Sequence, residues 1–213
     1  MHTRDLIDTL ASNLRPVRRH AVARRLAWSS TLGVGVALAL LLTFGGMRDD
    51  LPAVLDNPVF WLKALFPATV AAAALLLAAR LARPGQPTRW AWLLVALPLL
   101  AVWVASAWVL ETAPAALRMP MVLGHTWRVA TFNILALSLP TFAATFWAVR
   151  GLAPTRLRLA GMGAGVLAGA QAVLVYTLYC TEMAAPFWGT WYVLGMLLPT
   201  LAGAWLGPRL LRW

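Results

Sequence analysis

The chain has 213 residues, 61% of them apolar, a formal net charge of +11 at pH 7 and a single cysteine. No segment outside its apolar runs is long enough to bury a soluble core, and one cysteine excludes an internal disulfide framework or a four-thiolate zinc site. The cations are arginines gathered at the ends of apolar runs, so the basic balance points to bilayer topology and anionic headgroups rather than direct contact with nucleic acid.

Residues 1–25 are the only sizeable polar segment. Thr3 is placed to cap a helix on which Leu6, Ile7, Leu10 and Leu14 share one face, with Asp5 in the first turn where the helix dipole favours an acid. Pro16 ends or kinks that helix, and Arg18 and Arg19 follow. The leucine stripe suits either a helix lying on the inner leaflet or one that docks into a groove on a cytoplasmic protein. The apolar run behind this lead is too long for the core of a cleaved signal peptide.

Six apolar runs follow, at about 26–46, 59–81, 90–110, 127–149, 159–180 and 188–207. Each is about 20 residues, which at ~1.5 Å rise per residue crosses the ~30 Å hydrocarbon core. They are apolar on all sides, as membrane spans are and the helices of soluble domains are not. Arginines mark alternate ends. One side takes the basic lead, Arg80, Arg83 and Arg89, then Arg150, Arg156 and Arg158, then Arg209 and Arg212, against only Asp5 and Asp8. The other side holds Arg48, Lys63, Arg118 and Arg128 among the remaining five acids. The positive-inside rule therefore predicts an all-α polytopic membrane protein, with six spans in three hairpins and both termini cytoplasmic. Residues 1–25 form a cytoplasmic segment and 26–213 one membrane domain. Several of the 12 tryptophans, among them Trp28, Trp61, Trp90, Trp127, Trp188 and Trp191, fall near the predicted interfaces, where they serve as headgroup anchors.

Within the spans, Gly161, Gly165 and Gly169 repeat at the small-xxx-small spacing, which lets another helix backbone approach, either inside the bundle or in a second copy of the chain. Pro67, Pro98, Pro140 and Pro199 predict kinks. Lys63 sits a turn inside the second span, a costly place for a charge; it either snorkels outward or pairs with Glu182. Cys180 stands at the far end of the fifth span, in Tyr179-Cys180-Thr181-Glu182. A cysteine there is a small apolar filler or, facing an oxidising compartment, a reactive thiol. There is no metal-binding motif, no carboxylate pair at membrane depth, no serine elbow and no phosphate loop, so neither catalysis nor a cofactor is expected. A small-solute transporter or channel subunit is the competing reading, with Asn133, Ser138 and Gln171 as its polar residues; their ordinary role is interhelical hydrogen bonding.

Taken in order, several segments are similar to one family along nearly the whole chain. Asp5-Leu6-Ile7 through Leu10 to Pro16-Val17-Arg18-Arg19 opens it, and Asn57-Pro58 with Phe60 and Lys63 follows. Tyr179-Cys180-Thr181-Glu182, Phe187, Trp191-Tyr192, Gly195 and the terminal Arg209-Leu210-Leu211-Arg212-Trp213 complete it. The chain resembles the NrsF-type anti-sigma factors, six-span proteins that hold an extracytoplasmic-function sigma factor at the membrane. The resemblance implies a regulator without catalysis. Its sigma-binding surface would lie in Asp5, Leu6, Ile7, Leu10, Leu14, Pro16, Arg18 and Arg19, and its signal-sensing end in Cys180, Glu182, Trp191 and Tyr192. The family associates sensing of metal or oxidative stress with two cysteines. Cys180 matches the second; the first would follow Trp127-Arg128, where this chain has Ala130 after Val129. A lone thiol forms no intramolecular disulfide and makes a poor chelate.

Overall fold

The computed structural model describes Thr3, Ile7, Ala11, Ser12 and residues 20–212. Among them there are helices and no strands, as expected where every backbone N–H and C=O must find its partner inside the segment. In chain order the helices are α1 (Ala21–Leu40), α2 (Leu51–Val54), α3 (Pro58–Leu81), α4 (Arg89–Thr112), α5 (Ala115–Leu123), α6 (Trp127–Arg150), α7 (Leu157–Tyr176), α8 (Ala185–Phe187) and α9 (Val193–Leu210). Two π-helical turns, Leu41–Gly45 and Trp188–Tyr192, extend α1 and join α8 to α9. Six of the resulting rods are long and apolar enough to cross a membrane. They fall on the six apolar runs, while the short α5, within what the sequence suggests is a plain link, adds a helix at one end of the bundle.

Local chemistry sets the boundaries. Asn57 caps α3, its side-chain oxygen accepting from the Val59 amide at 2.9 Å, and Pro58 occupies the first helical position, where its missing N–H costs nothing. Arg80 and Arg150 stand in the last turns of α3 and α6, where a cation faces the helix dipole favourably. Pro67, Pro98, Pro140 and Pro199 all lie inside helices, tolerated because packed neighbours and polar side chains can satisfy the carbonyls they free.

The helix α7 is the hub: 83% of its spanning window is buried within the fold, against 17% for α4, which lies at the margin. α3, α6 and α9 pack on α7, α1 packs on α6, and α4 packs on α3. Of the helix pairs joined at the Cys180 end of the bundle, only α7 with α9 is close-packed; α1 touches α3 little and finds α6 instead. The closeness of α7 and α9 is a property of glycine. A Cβ on Gly161 would overlap the Gly203 carbonyl, one on Gly165 the Pro199 carbonyl, and one on Gly169 would sit 2.8 Å from the Met196 Cα. The glycine stripe is thus seated inside this chain. Between spans there is no water to expel, so backbone approach supplies dispersion contacts in place of a hydrophobic drive.

Gly165→Val should therefore destabilise the detergent-solubilised protein by ~3 kcal/mol, because the obstacle is backbone and cannot rotate away. Gly35→Ala, with open space around it, should leave the thermal midpoint unchanged. Equal midpoints for the two variants would contradict this account of the α7–α9 contact.

Candidate functional site at the Cys180 end

α7 ends at Tyr176 and the chain turns through Cys180 before α8 begins. The last carbonyls of a helix have no partner within it and carry partial negative charge. After α7 those carbonyls are taken up by the turn itself, Val173, Val175 and Tyr176 accepting from the amides of residues 177–180, and it is the Cys180 carbonyl beyond them that draws two cations from elsewhere in the chain. Lys63 of α3 donates from Nζ to the Cys180 carbonyl at 2.5 Å, and Arg48 donates to the same oxygen from Nη1 at 3.2 Å. The Arg48 amide also donates to the Leu178 carbonyl at 3.3 Å. Arg48 in turn is gripped by Asp50, Nε to Oδ1 at 2.6 Å and Nη2 to Oδ2 at 2.7 Å, a two-pronged geometry that fixes the guanidinium plane.

That pair perturbs both of its members. The hydrogen bond to Arg48 holds the Asp50 carboxyl below its ordinary pKa of 3.8, and the hydrogen bond to Asp50 raises Arg48 above its own ordinary value. A carboxylate whose folded-state pKa is depressed stabilises the fold above its unfolded pKa and stops doing so as pH falls through the depressed value. The pair is therefore intact at neutral and mildly acidic pH and opens only below the usual carboxylate range.

Lys63 itself is 0% exposed and lies 6.0 Å from the centroid of the Tyr192 ring. A cation in the first turns of α3 opposes the helix dipole, so its carbonyl acceptor is what makes the position tenable. Lys63 and Glu182 do come to the same end of the bundle, but each is held elsewhere. Glu182 accepts from the backbone amides of His125 at 2.6 Å and Thr126 at 3.2 Å, and its Oε1 lies 3.6 Å from the His125 imidazole. These amides stand at the N-terminus of α6, where Thr126 makes no side-chain cap, so the carboxylate of a distant loop does the capping. Gly124 permits this: its φ is +59°, and a Cβ there would strike the Glu182 carboxylate and Phe187.

The thiol of Cys180 is fully buried. Tyr176 and Tyr192, also fully buried, are its near neighbours, their rings edge to face at 5.9 Å. Both hydroxyls and Thr126 Oγ1 cluster there without a well-formed hydrogen bond. Tyr176 also lines a cavity of about 320 Å³ with Asn133, Tyr179 and Phe44, beside the π-turn of α1. Around the second π-turn, α4 supplies donors to two carbonyls, Ser106 Oγ donating to Ala185 of α8 at 2.9 Å and Trp103 Nε1 to Gly189 of the turn at 2.8 Å. Trp188 donates to the Glu182 carbonyl at 3.1 Å, and Trp191 donates to Val122 of α5 at 2.8 Å while packing on Trp127 with centroids 5.6 Å apart.

The structure thus brings Cys180, Glu182, Trp191 and Tyr192 together, with Lys63 among them. Ala130 is buried in the first turn of α6. Asp5, Leu6, Leu10, Leu14, Pro16, Arg18 and Arg19 lie outside the described residues; Ile7 is helical and exposed. Ser138 of the transport reading bonds to the Leu135 carbonyl of its own helix at 2.7 Å. Arg48, Asp50 and the amides of His125 and Thr126 carry the site yet escape sequence reasoning. Arg48 reads there as one charge in an acidic loop, and backbone amides carry no residue signal. Among the described residues no group of three or more histidine, cysteine or acidic side chains is placed to hold a metal. What the arrangement offers is a buried thiol under a polar clasp that ties α3 and the start of α6 to the turn after α7.

The model of the family described as "negative regulator of sigma F" matches residues 10–213. Over 213 residues the chain is 42% identical to the probable anti-sigma-F factor NrsF of Azospira oryzae, covering all of both chains. It is 39% identical over 216 residues to the anti-sigma-F factor NrsF of Caulobacter vibrioides, again at full coverage of both. No solved structure matches.

Two outcomes follow from this geometry. Arg48→Ala combined with Lys63→Met removes both charged donors from the Cys180 carbonyl, each worth ~1.5–3 kcal/mol, and should speed maleimide labelling of Cys180 by about tenfold or more. The charge swap Lys63→Glu with Glu182→Lys should not restore protein level, because a lysine cannot accept from the amides of His125 and Thr126. Rescue by the swap would show a direct pair instead.

Proposed function

The chain belongs to the family of negative regulators of sigma F, and on that premise we propose that it is a membrane anti-sigma factor that sequesters an extracytoplasmic-function sigma factor through residues 1–25 and releases it on a stimulus sensed at the Cys180 end. The match along the whole membrane domain is the observation that carries this reading. In this reading the protein resides in the bacterial inner membrane with its spans as three hairpins and both termini in the cytoplasm, so the Cys180 end faces the periplasm. The arginine asymmetry of the loops supports that orientation.

Sequestration needs a surface, not chemistry. The stripe of Leu6, Ile7, Leu10 and Leu14 supplies apolar anchors of the kind that dock a helix into a groove, and Arg18 and Arg19 flank it for an acidic partner. Release needs two arrangements of the bundle with different affinity for the sigma factor, and a coupling of ~1–3 kcal/mol would change that affinity by roughly 5- to 150-fold. With alanine at position 130, an intramolecular disulfide is not the trigger; disturbance of the clasp around Cys180 is the route the geometry favours. Arg48, Lys63 and Glu182 hold that clasp by hydrogen bonds that a modified or displaced thiol segment would break. The bundle supports no second reading as well: the polar residues a transporter would need are few, and Ser138 is satisfied within its own helix.

Full-length protein should co-purify with a co-expressed extracytoplasmic-function sigma factor of the same organism, and a variant lacking residues 1–24 should not. Alanine at both Leu6 and Leu10 should abolish capture while membrane insertion survives. Capture undiminished by the deletion would place the sigma-binding surface elsewhere and overturn this assignment.

A further inference from the structure

α6 is held at both ends by charged side chains from other parts of the chain. At its N-terminus the Glu182 carboxylate accepts from the amides of His125 and Thr126, at 2.6 and 3.2 Å. At its C-terminus Arg25, the last residue of the basic lead, donates to the Trp147 carbonyl at 3.2 Å and the Gly151 carbonyl at 3.5 Å. The same guanidinium stacks 4.8 Å from the centroid of the Trp147 ring, and a side chain at Gly151 would occupy its place. Each contact answers the polarity of the helix end it touches, an acid on free N–H groups and a cation on free carbonyls.

Between these ends α6 is also the helix on which the first span rests. A Cβ on Gly33 of α1 would lie 2.8 Å from the Thr141 Cα, so backbone meets backbone midway. The next contact along, Thr141 Oγ1 to the Ala168 carbonyl at 3.1 Å, ties α6 to α7. A displacement of the Cys180–Glu182 segment therefore reaches α6 directly, through two hydrogen bonds, and α6 reaches the root of residues 1–25 directly, through Arg25. α3 is tied to Cys180 by Lys63, but its hydrogen bond at the opposite end, Arg80 to the Pro87 carbonyl, stays within its own loop.

We infer that Glu182 and Arg25 are positioning residues for sigma-factor binding: by gripping opposite ends of α6 they make that helix the element through which the Cys180 end sets where the sigma-binding segment leaves the membrane. This rests on the assignment of sigma binding to residues 1–25. Neither residue need touch the sigma factor, and both act through the placement of α6.

Reciprocity gives a test in the intact protein, since a ligand on one side must alter the other side by the same coupling. Hydrogen exchange of full-length protein in nanodiscs is followed with and without the sigma factor. Binding should slow exchange at the amides of His125 and Thr126 several-fold, at the opposite end of the bundle from the ligand. Exchange there that ignores bound sigma factor overturns the inference. In cells, Glu182→Ala and Arg25→Ala should each raise a sigma-dependent reporter about tenfold without a stimulus, at wild-type membrane abundance. Glu182→Gln, which keeps an acceptor for the amides, should hold it near the wild-type level. Because both act through one helix, the double alanine variant should exceed the larger single effect little; the product of the two single effects would mean independent actions and would also overturn it. Arg25→Lys controls for the loss of a topogenic charge: a reporter left at the wild-type level by Arg25→Ala, or raised equally by Arg25→Ala and Arg25→Lys at reduced abundance, counts against positioning. Capture that survives deletion of residues 1–19 refutes the binding assignment itself, a result distinct from any of these.

Discussion

A helix that ends inside or at the edge of a membrane leaves its terminal N–H and C=O groups without partners, and water is not there to supply them. The Cys180 end of this bundle is organised around that constraint. The Cys180 carbonyl, in the turn after α7, draws in Lys63 and Arg48, and the amides at the start of α6 draw in Glu182. At the opposite end the closing carbonyls of α6 draw in Arg25. Arg48 is paired with Asp50, and Glu182 lies beside the His125 imidazole. The two ends of the α6 dipole add favourable charge for Glu182 and Arg25, which reach them from other parts of the chain.

That arrangement bears on how a regulator of this architecture would work. A clasp made of charged hydrogen bonds to backbone is strong when complete and is lost stepwise when one partner moves, because each orphaned group then faces a medium that cannot solvate it. The α7–α9 contact, by contrast, is backbone against backbone along a glycine stripe and has little room to slide. The bundle thus combines a rigid α7–α9 pair with an α6 that packs on both α7 and the first span and is gripped at its ends by Glu182 and Arg25. Small changes at a few charged contacts are the kind of event that interconverts two packings.

Apolar runs of about 20 residues leave the backbone no alternative to helix, so the number and position of the spans are legible in the sequence. The glycine spacing at 161, 165 and 169 likewise announces a close helix contact, though not its partner. Cys180, Glu182, Trp191 and Tyr192 stand out as a motif and do converge. Lys63 stands out because a charge inside a span needs an acceptor, but its acceptor is a carbonyl oxygen, which every residue possesses and no sequence pattern marks. Arg48 and Arg25 look like topology signals among many arginines; only their reach to distant helix ends distinguishes them.

The sequence by itself determined that this chain forms six helices long and apolar enough to span a membrane, and which family it resembles, because solvation acts on each segment separately and motifs are local. The tertiary structure decided that the first span pairs with α6 rather than with its neighbour in sequence, that α7 is the hub, and that Glu182 caps α6 rather than pairing with Lys63. Those outcomes depend on which helix ends come within a few ångströms of which side chains. That is a matter of packing in three dimensions, and spacing along the chain does not encode it.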